Sequence, residues 1–272
     1  MTTVQSMRRA RGPDCRRARA PVALALGILA TLQAPGCARR GPELVRPDVL
    51  VSPYPSERVV LWAVAPLANE SGTSAAAELA VSDALVAAVT EVEGLAGVPV
   101  NRVLAAMQRL GLSALSGPGD ARRLAEALGV DALVVGSITA YDPYDPPKLG
   151  LVLAVYAREG GVIAAPERSV DPGTLRGSPR DTATATTRFP DRPASLVSLH
   201  HDGANHDIRA RVRAYAHGRH EPGSARGWER YLASMDLYTR FVAHDAVRLL
   251  LEEERRRLGG PGPLAAREHP SP

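Results

Sequence analysis

Apolar and polar positions alternate between two periods along this chain, and the switches between them outline an α/β domain. Val59 to Ala65 is a continuous apolar run of strand length, closed by Pro66 and Asn69, which predicts a strand buried on both faces. After the loop Asn69-Glu70-Ser71-Gly72-Thr73, Val81, Leu85, Val89 and Val92 recur at helical spacing, predicting a helix over 74–92 with Ser74 as its cap. Gly97 to Val100 reads as a short strand, and 102–110 as a helix stopped by Gly111. Asp120 is placed to cap a third helix with Ala121, Leu124, Ala125 and Leu128 inward, ending at Gly129.

Two further strands are predicted, Ala132 to Ala140 and Leu149 to Tyr156, joined by a hairpin loop over 141–147. Beyond them, residues 160–198 are rich in Gly, Pro, Ser, Thr and Arg with no apolar period, which predicts a mobile polar loop. A helix from Asn205 to Tyr215 and a long amphipathic helix from Ser224 to Arg257 follow. At ~1.5 Å per residue the latter is about 50 Å long, more than a small sheet covers, so part of its stripe is expected to meet a second subunit or a partner. The expected fold class is a mixed central sheet flanked by helices, with 58–159 as the core domain, 199–258 as helices packing on it, and 259–272 as a disordered tail.

The front of the chain follows different rules. Arg8, Arg9, Arg11, Arg16, Arg17 and Arg19 precede an uncharged apolar run from Pro21 to Leu32, the order of a signal peptide over residues 1–36. About a dozen residues fall short of the ~20 that a membrane-spanning helix needs. The run ends in Ala34-Pro35-Gly36-Cys37, which resembles the lipobox of bacterial lipoproteins. That resemblance implies acylation of Cys37 and attachment to a membrane through lipid; it departs from the pattern in having Ala34 where Leu is usual. Ala38 follows the cysteine in place of the Asp that retains lipoproteins at the inner membrane, so periplasm-facing placement at the outer membrane is expected. Residues 37–57, with Pro42, Pro47, Pro53 and Pro55, read as a tether.

Removing the signal changes the charge picture. Six Arg and one Asp leave with it, taking +5 from a chain of net +4, so the remainder stands near −1 and offers no basic surface for nucleic acid. Cys15 leaves too and Cys37 would be acylated, which closes disulfide and cysteine–metal chemistry.

The order strand, Ala65-Pro66-Leu67-Ala68-Asn69 loop, helix, short strand, two helices and then Leu128-Gly129-Val130-Asp131-Ala132-Leu133-Val134-Val135-Gly136-Ser137 resembles the amino-terminal-TolB-like fold. That fold is shared by the curli-secretion (CsgG) lipoprotein family and the penicillin-binding-protein activator lipoproteins, and the resemblance covers residues 58–157. It implies an envelope module that binds or assembles with other proteins. The chain departs from the family pattern after Tyr156, and no pair of long alternating hairpins suited to a membrane barrel follows.

Signatures of catalysis are absent: no Gly-x-Ser-x-Gly elbow, phosphate loop, dinucleotide fingerprint or His-Glu-x-x-His. His200, His201, Asp202, His206 and Asp207, with His217 and His220 nearby, hold ligand-type side chains, but no two of the histidines stand four apart. A solvated polar stretch is the expectation there, with no metal site and no cofactor. Asn69, Ser71 and Thr73 lie where open α/β sheets bind ligands, and capping alone also accounts for them. Tyr141, Asp142, Tyr144 and Asp145, stiffened by Pro143, Pro146 and Pro147, suit recognition of a protein partner. The function expected is therefore a non-catalytic envelope lipoprotein that binds a protein. The alternative is a self-assembling, homo-oligomeric subunit of an export complex, and a metal-dependent hydrolase is the weakest reading.

Overall fold

The computed structural model describes residues 47–54, 58–158, 192–220 and 224–259. The signal segment, Cys37, most of the tether, residues 160–191 of the polar loop and nearly all of the tail lie outside these. Within them the fold is the mixed α/β architecture that the pattern predicts. Strands β1 (Val60–Val64), β2 (Ala68–Asn69), β3 (Leu95–Val98), β4 (Ala132–Asp142), β5 (Lys148–Ala157) and β6 (Ser195–Asp202) make one sheet in the order β3-β1-β4-β5-β6. The short β2 pairs with β4 off that path. β1 runs parallel to β3 and β4, while β5 is antiparallel to both β4 and β6.

β1 is buried on both faces because its alternate residues serve two cores. Trp62 and Val64 join Val81, Leu85 and Val89 of α1 (Glu78–Thr90) and Tyr238, Phe241, Val242 and Leu250 of α6 (Met235–Arg257). Ala63 and Ala65 join Val103 and Met107 of α2 (Val100–Arg109) and Ala121, Leu124 and Ala125 of α3 (Pro118–Leu128). Asp131 ties this centre together: its carboxylate accepts from Leu61 N at 2.9 Å and from Arg58 at 2.8 Å, pinning the start of β4 to β1. Gly136 lies where strands press closest, since a Cβ there would stand 2.2 Å from the Val152 carbonyl oxygen. Gly129 ends α3 at φ +66°, a conformation that glycine adopts without penalty.

Several boundaries differ from the expectation. Helix α1 starts at Glu78 and not Ser74; Thr73 Oγ1 accepts from Ala75 N at 3.2 Å, so the hydroxyl near the helix start shapes the loop before it. The strand expected at 97–100 is shifted to Leu95–Val98, because Pro99 stands at the N-cap of α2 and Val100 opens that helix. Asp120 lies in the first turn of α3 and not at its cap, accepting from Ser116 N at 2.9 Å and pairing with Arg123.

The single helix expected over 224–257 is broken. A 3-10 turn (Gly227–Glu229) and a one-turn helix α5 (Arg230–Ala233) precede Ser234, whose extended backbone (φ −132°, ψ 118°) interrupts the helix before α6. The 23 residues of α6 span about 35 Å, and its apolar stripe is buried on the sheet, so the surplus length expected for a partner does not arise. β6 begins at Ser195, inside the segment expected as a polar loop, and helix α4 (His206–Ala216) follows it with Asn205 Oδ1 accepting from Asp207 N. Residues 50–54 of the expected tether are docked: Ser52 N donates to Glu93 O at 3.0 Å, and the buried Tyr54 donates to Glu254 at 3.0 Å.

Candidate functional site

Three connections meet at one edge of the sheet. β1, β4 and β6 share a direction, so the loop after β1, the β4–β5 hairpin and the turn from β6 into α4 gather at their carboxyl ends. This rim holds the residues that the sequence singled out, and the structure gives them unequal roles.

The Asn69-to-Thr73 loop closes on itself. Asn69 Nδ2 donates to Thr73 O at 2.8 Å, and Asn69 Oδ1 accepts from Ser71 N at 3.1 Å and from Ser71 Oγ at 2.6 Å. Glu70 N donates to Ile138 O at 2.9 Å, fastening the loop to β4. The polar groups of Asn69 and Ser71 are thus engaged in loop geometry, which accounts for these residue types without a ligand.

The hairpin tip parts its two tyrosines. Tyr144 is 79% exposed, the most exposed large apolar residue among those described. Its turn is held from below: Asp142 Oδ1 accepts from Tyr144 N at 3.2 Å, and Gly203 N donates to Pro147 O at 2.8 Å. Lys148 pairs with Asp202 at 3.0 Å. Asp202 is held below the usual carboxylate range by the Ala204 N–H and then by Lys148, whose ammonium is raised in turn. Pro146 follows Asp145 through a cis peptide bond. Tyr141 points the other way, packed against the main core, with its hydroxyl raised by burial and then by the nearby Asp236 charge.

Tyr141 also lines a cleft of about 490 Å³ between α1 and α6. One wall is the small-residue face Ala80, Ala84 and Ala87 with Asp83; the other presents Asp236, Thr239, Arg240 and His244. Tyr215 of α4 closes one end, its ring 4.9 Å from that of His244. Burial, then the Arg219 charge, pushes His244 down to about 4 against the pull of Asp245, so its imidazole is neutral at pH 7.

The histidine-rich stretch is not one site. Strand alternation sends His200 to the open face and His201 into the core, where only 3% of it is exposed. His201 Nε2 lies 2.6 Å from Asp245 Oδ2, and Asp245 also pairs with Arg211 of α4 and, at 2.8 Å, with Arg248. Burial opposes the Asp245 charge, but the His201 hydrogen bond and the two guanidiniums hold its carboxyl far below the ordinary value. Sequence reading missed this network, although its signal was present: Asp245 interrupts the apolar stripe between Val242 and Leu249, where a charge has to be paired to be buried. Among the described residues no three metal-ligating side chains converge.

No family model matches the chain, and no curated protein matches it. Solved structures that resemble it include the carboxy-terminal domain of LpoB from Salmonella enterica, 20% identical over 38% of this chain and 75% of that one, with a TM-score of 0.31. Another is the lipoprotein GNA1162 from Neisseria meningitidis, 13% identical over 53% and 80%, with a TM-score of 0.31. A third is the hypothetical protein CT253 from Chlamydia trachomatis, 11% identical over 72% and 97%, with a TM-score of 0.36.

Proposed function

We propose that this chain is a non-catalytic lipoprotein of the bacterial envelope, anchored through Cys37 at the outer membrane and binding a protein partner with its sheet rim. The observation that carries the reading is Tyr144: a large aromatic ring held out to solvent on a turn whose base is fixed by Asp142, by the Gly203–Pro147 bond and by the Lys148–Asp202 pair. An ordered aromatic anchor loses little entropy on docking, and aromatic residues dominate interface hot spots. Asp142, Asp145 and Asp202 stand on this turn or at its base against one Lys148, so the complementary surface is basic and protein in nature, not nucleic acid. The Asn69, Ser71 and Thr73 loop acts as a scaffold for this rim.

The test is in-cell crosslinking from intact envelopes with the wild-type chain and Tyr144→Ala. Loss of one or more crosslinked proteins, with the chain still membrane-bound, supports the assignment. An unchanged set of crosslinked partners removes the rim from the interface. Cys37→Ala is expected to move the chain from the membrane fraction to the soluble one; membrane retention in that variant ends the lipid-anchor reading.

A further inference from the structure

We propose that β6 is a self-pairing edge, through which two copies of this chain join antiparallel strands about a two-fold axis at Ser198. Among the described residues β6 is the last strand of the sheet, and it pairs with β5 without a shift over all eight residues. The Gly203 N to Pro147 O bond continues that ladder, so the odd-numbered residues of β6 exchange hydrogen bonds with β5. By the same alternation the N–H and C=O groups of Leu196, Ser198 and His200 point away from the sheet, and no described residue bonds them. Natural sheets guard such an edge with Lys, Pro or a bulge. β6 has none of these, and Asp202 at its end is its one carboxylate.

A second copy fits this edge better than an arbitrary strand because the sequence is complementary to itself. Centred on Ser198, Leu196 lies opposite His200 of the second copy, Ser198 opposite Ser198 of the second copy, and no like charges meet. The adjoining face has the right character. The second core holds no buried residue from β5 or β6, since α2 and α3 stop over β4, leaving Val152 and Ala154 half-buried and Leu196 58% exposed. Pairing about the two-fold brings this face of each copy beside that of the other, extending an apolar strip rimmed by Ser198 and His200.

The full chain in mild detergent is expected to sediment as a dimer. Ser198→Pro deletes an N–H that faces outward, so it spares the β5–β6 ladder while removing the central bond of the proposed junction; it should shift the chain to monomer with its circular dichroism unchanged. Leu196→Lys serves as a second variant should the proline unfold the strand, and it should weaken the dimer roughly tenfold or more, because symmetry counts it twice. Position-specific crosslinking fixes the axis. Ser198→Cys should oxidise to a disulfide-linked dimer, since hydrogen-bonded strand partners have Cα atoms about 5.5 Å apart. Leu196→Cys and His200→Cys should each fail alone, their symmetry mates lying about 13 Å away, and succeed when combined in one chain. A chain monomeric at tens of micromolar, or a dimer unmoved by both Ser198→Pro and Leu196→Lys, overturns the proposal. So does a monomer that instead takes up an extended peptide at β6.

Discussion

His244 sets an acid limit on the stability of this domain. Its imidazole lines the α1–α6 cleft against Tyr215, with a buried Nε2 that has no hydrogen-bond partner, and its folded-state value lies at about 4. The unfolded chain binds the same proton near 6.5. A histidine shifted downward takes up a proton on unfolding, so stability is complete above about pH 6.5 and falls as pH drops toward 4. At ~1.36 kcal/mol per unit the full difference approaches 3.4 kcal/mol. The side chain retains some solvent contact, and screening reduces this to about 1–2 kcal/mol. Asp120, Asp202 and Asp245 are shifted downward as well, which loses stability in acid too, but below about pH 4 and so outside this window. Urea unfolding of the wild type and of His244→Leu at steps from pH 7.5 to 4.5 reads the effect directly. The wild type should lose about 1–2 kcal/mol more than the variant across that range. Parallel curves would falsify the argument, as would an imidazole that titrates near 6.5 by NMR.

Two other perturbations follow from the packing. Gly136→Ala places a methyl 2.2 Å from the Val152 carbonyl oxygen and 2.7 Å from a Leu153 methyl, backbone and core that have no room to yield. It is expected to destabilise by about 3 kcal/mol, at the upper end for overpacking, and a melt within the error of wild type would show that β4 and β5 separate more easily than their ladder suggests. Tyr54→Phe removes a hydrogen bond to the fully buried Glu254 carboxylate, leaving Ser195 and Arg257 to hold it. A loss of about 1.5–3 kcal/mol is expected in denaturant titration, together with faster proteolysis near residues 50–54; unchanged proteolysis would mean that the segment docks through other contacts.

Much of the domain was legible because its cues are local. The runs at 59–65, 132–140 and 149–156 are apolar over strand length, and Gly111 and Gly129 mark helix ends at positive φ, so β1, β4, β5 and the three helices among them follow from spacing and stop signals. The rim was legible too, as a tyrosine- and proline-rich hairpin and an Asn-Ser-Thr loop. What spacing does not carry is pairing. β6 carries no clean alternation in sequence, since its outward positions Leu196, Ser198 and His200 mix apolar with polar, and only its place beside β5 makes a strand of it and sends His201 inward. The break at Ser234 is equally silent, since the stripe from Trp228 to Leu250 keeps a helical period across it while α5 and α6 pack as separate pieces. Tertiary structure also decided that Tyr141 and Tyr144 part company, and that Asp245 gathers His201, Arg211 and Arg248 from three elements. Hydrophobic period is a property of neighbours in sequence, whereas charge burial, edge exposure and the second face of a sheet depend on which distant segment lies alongside.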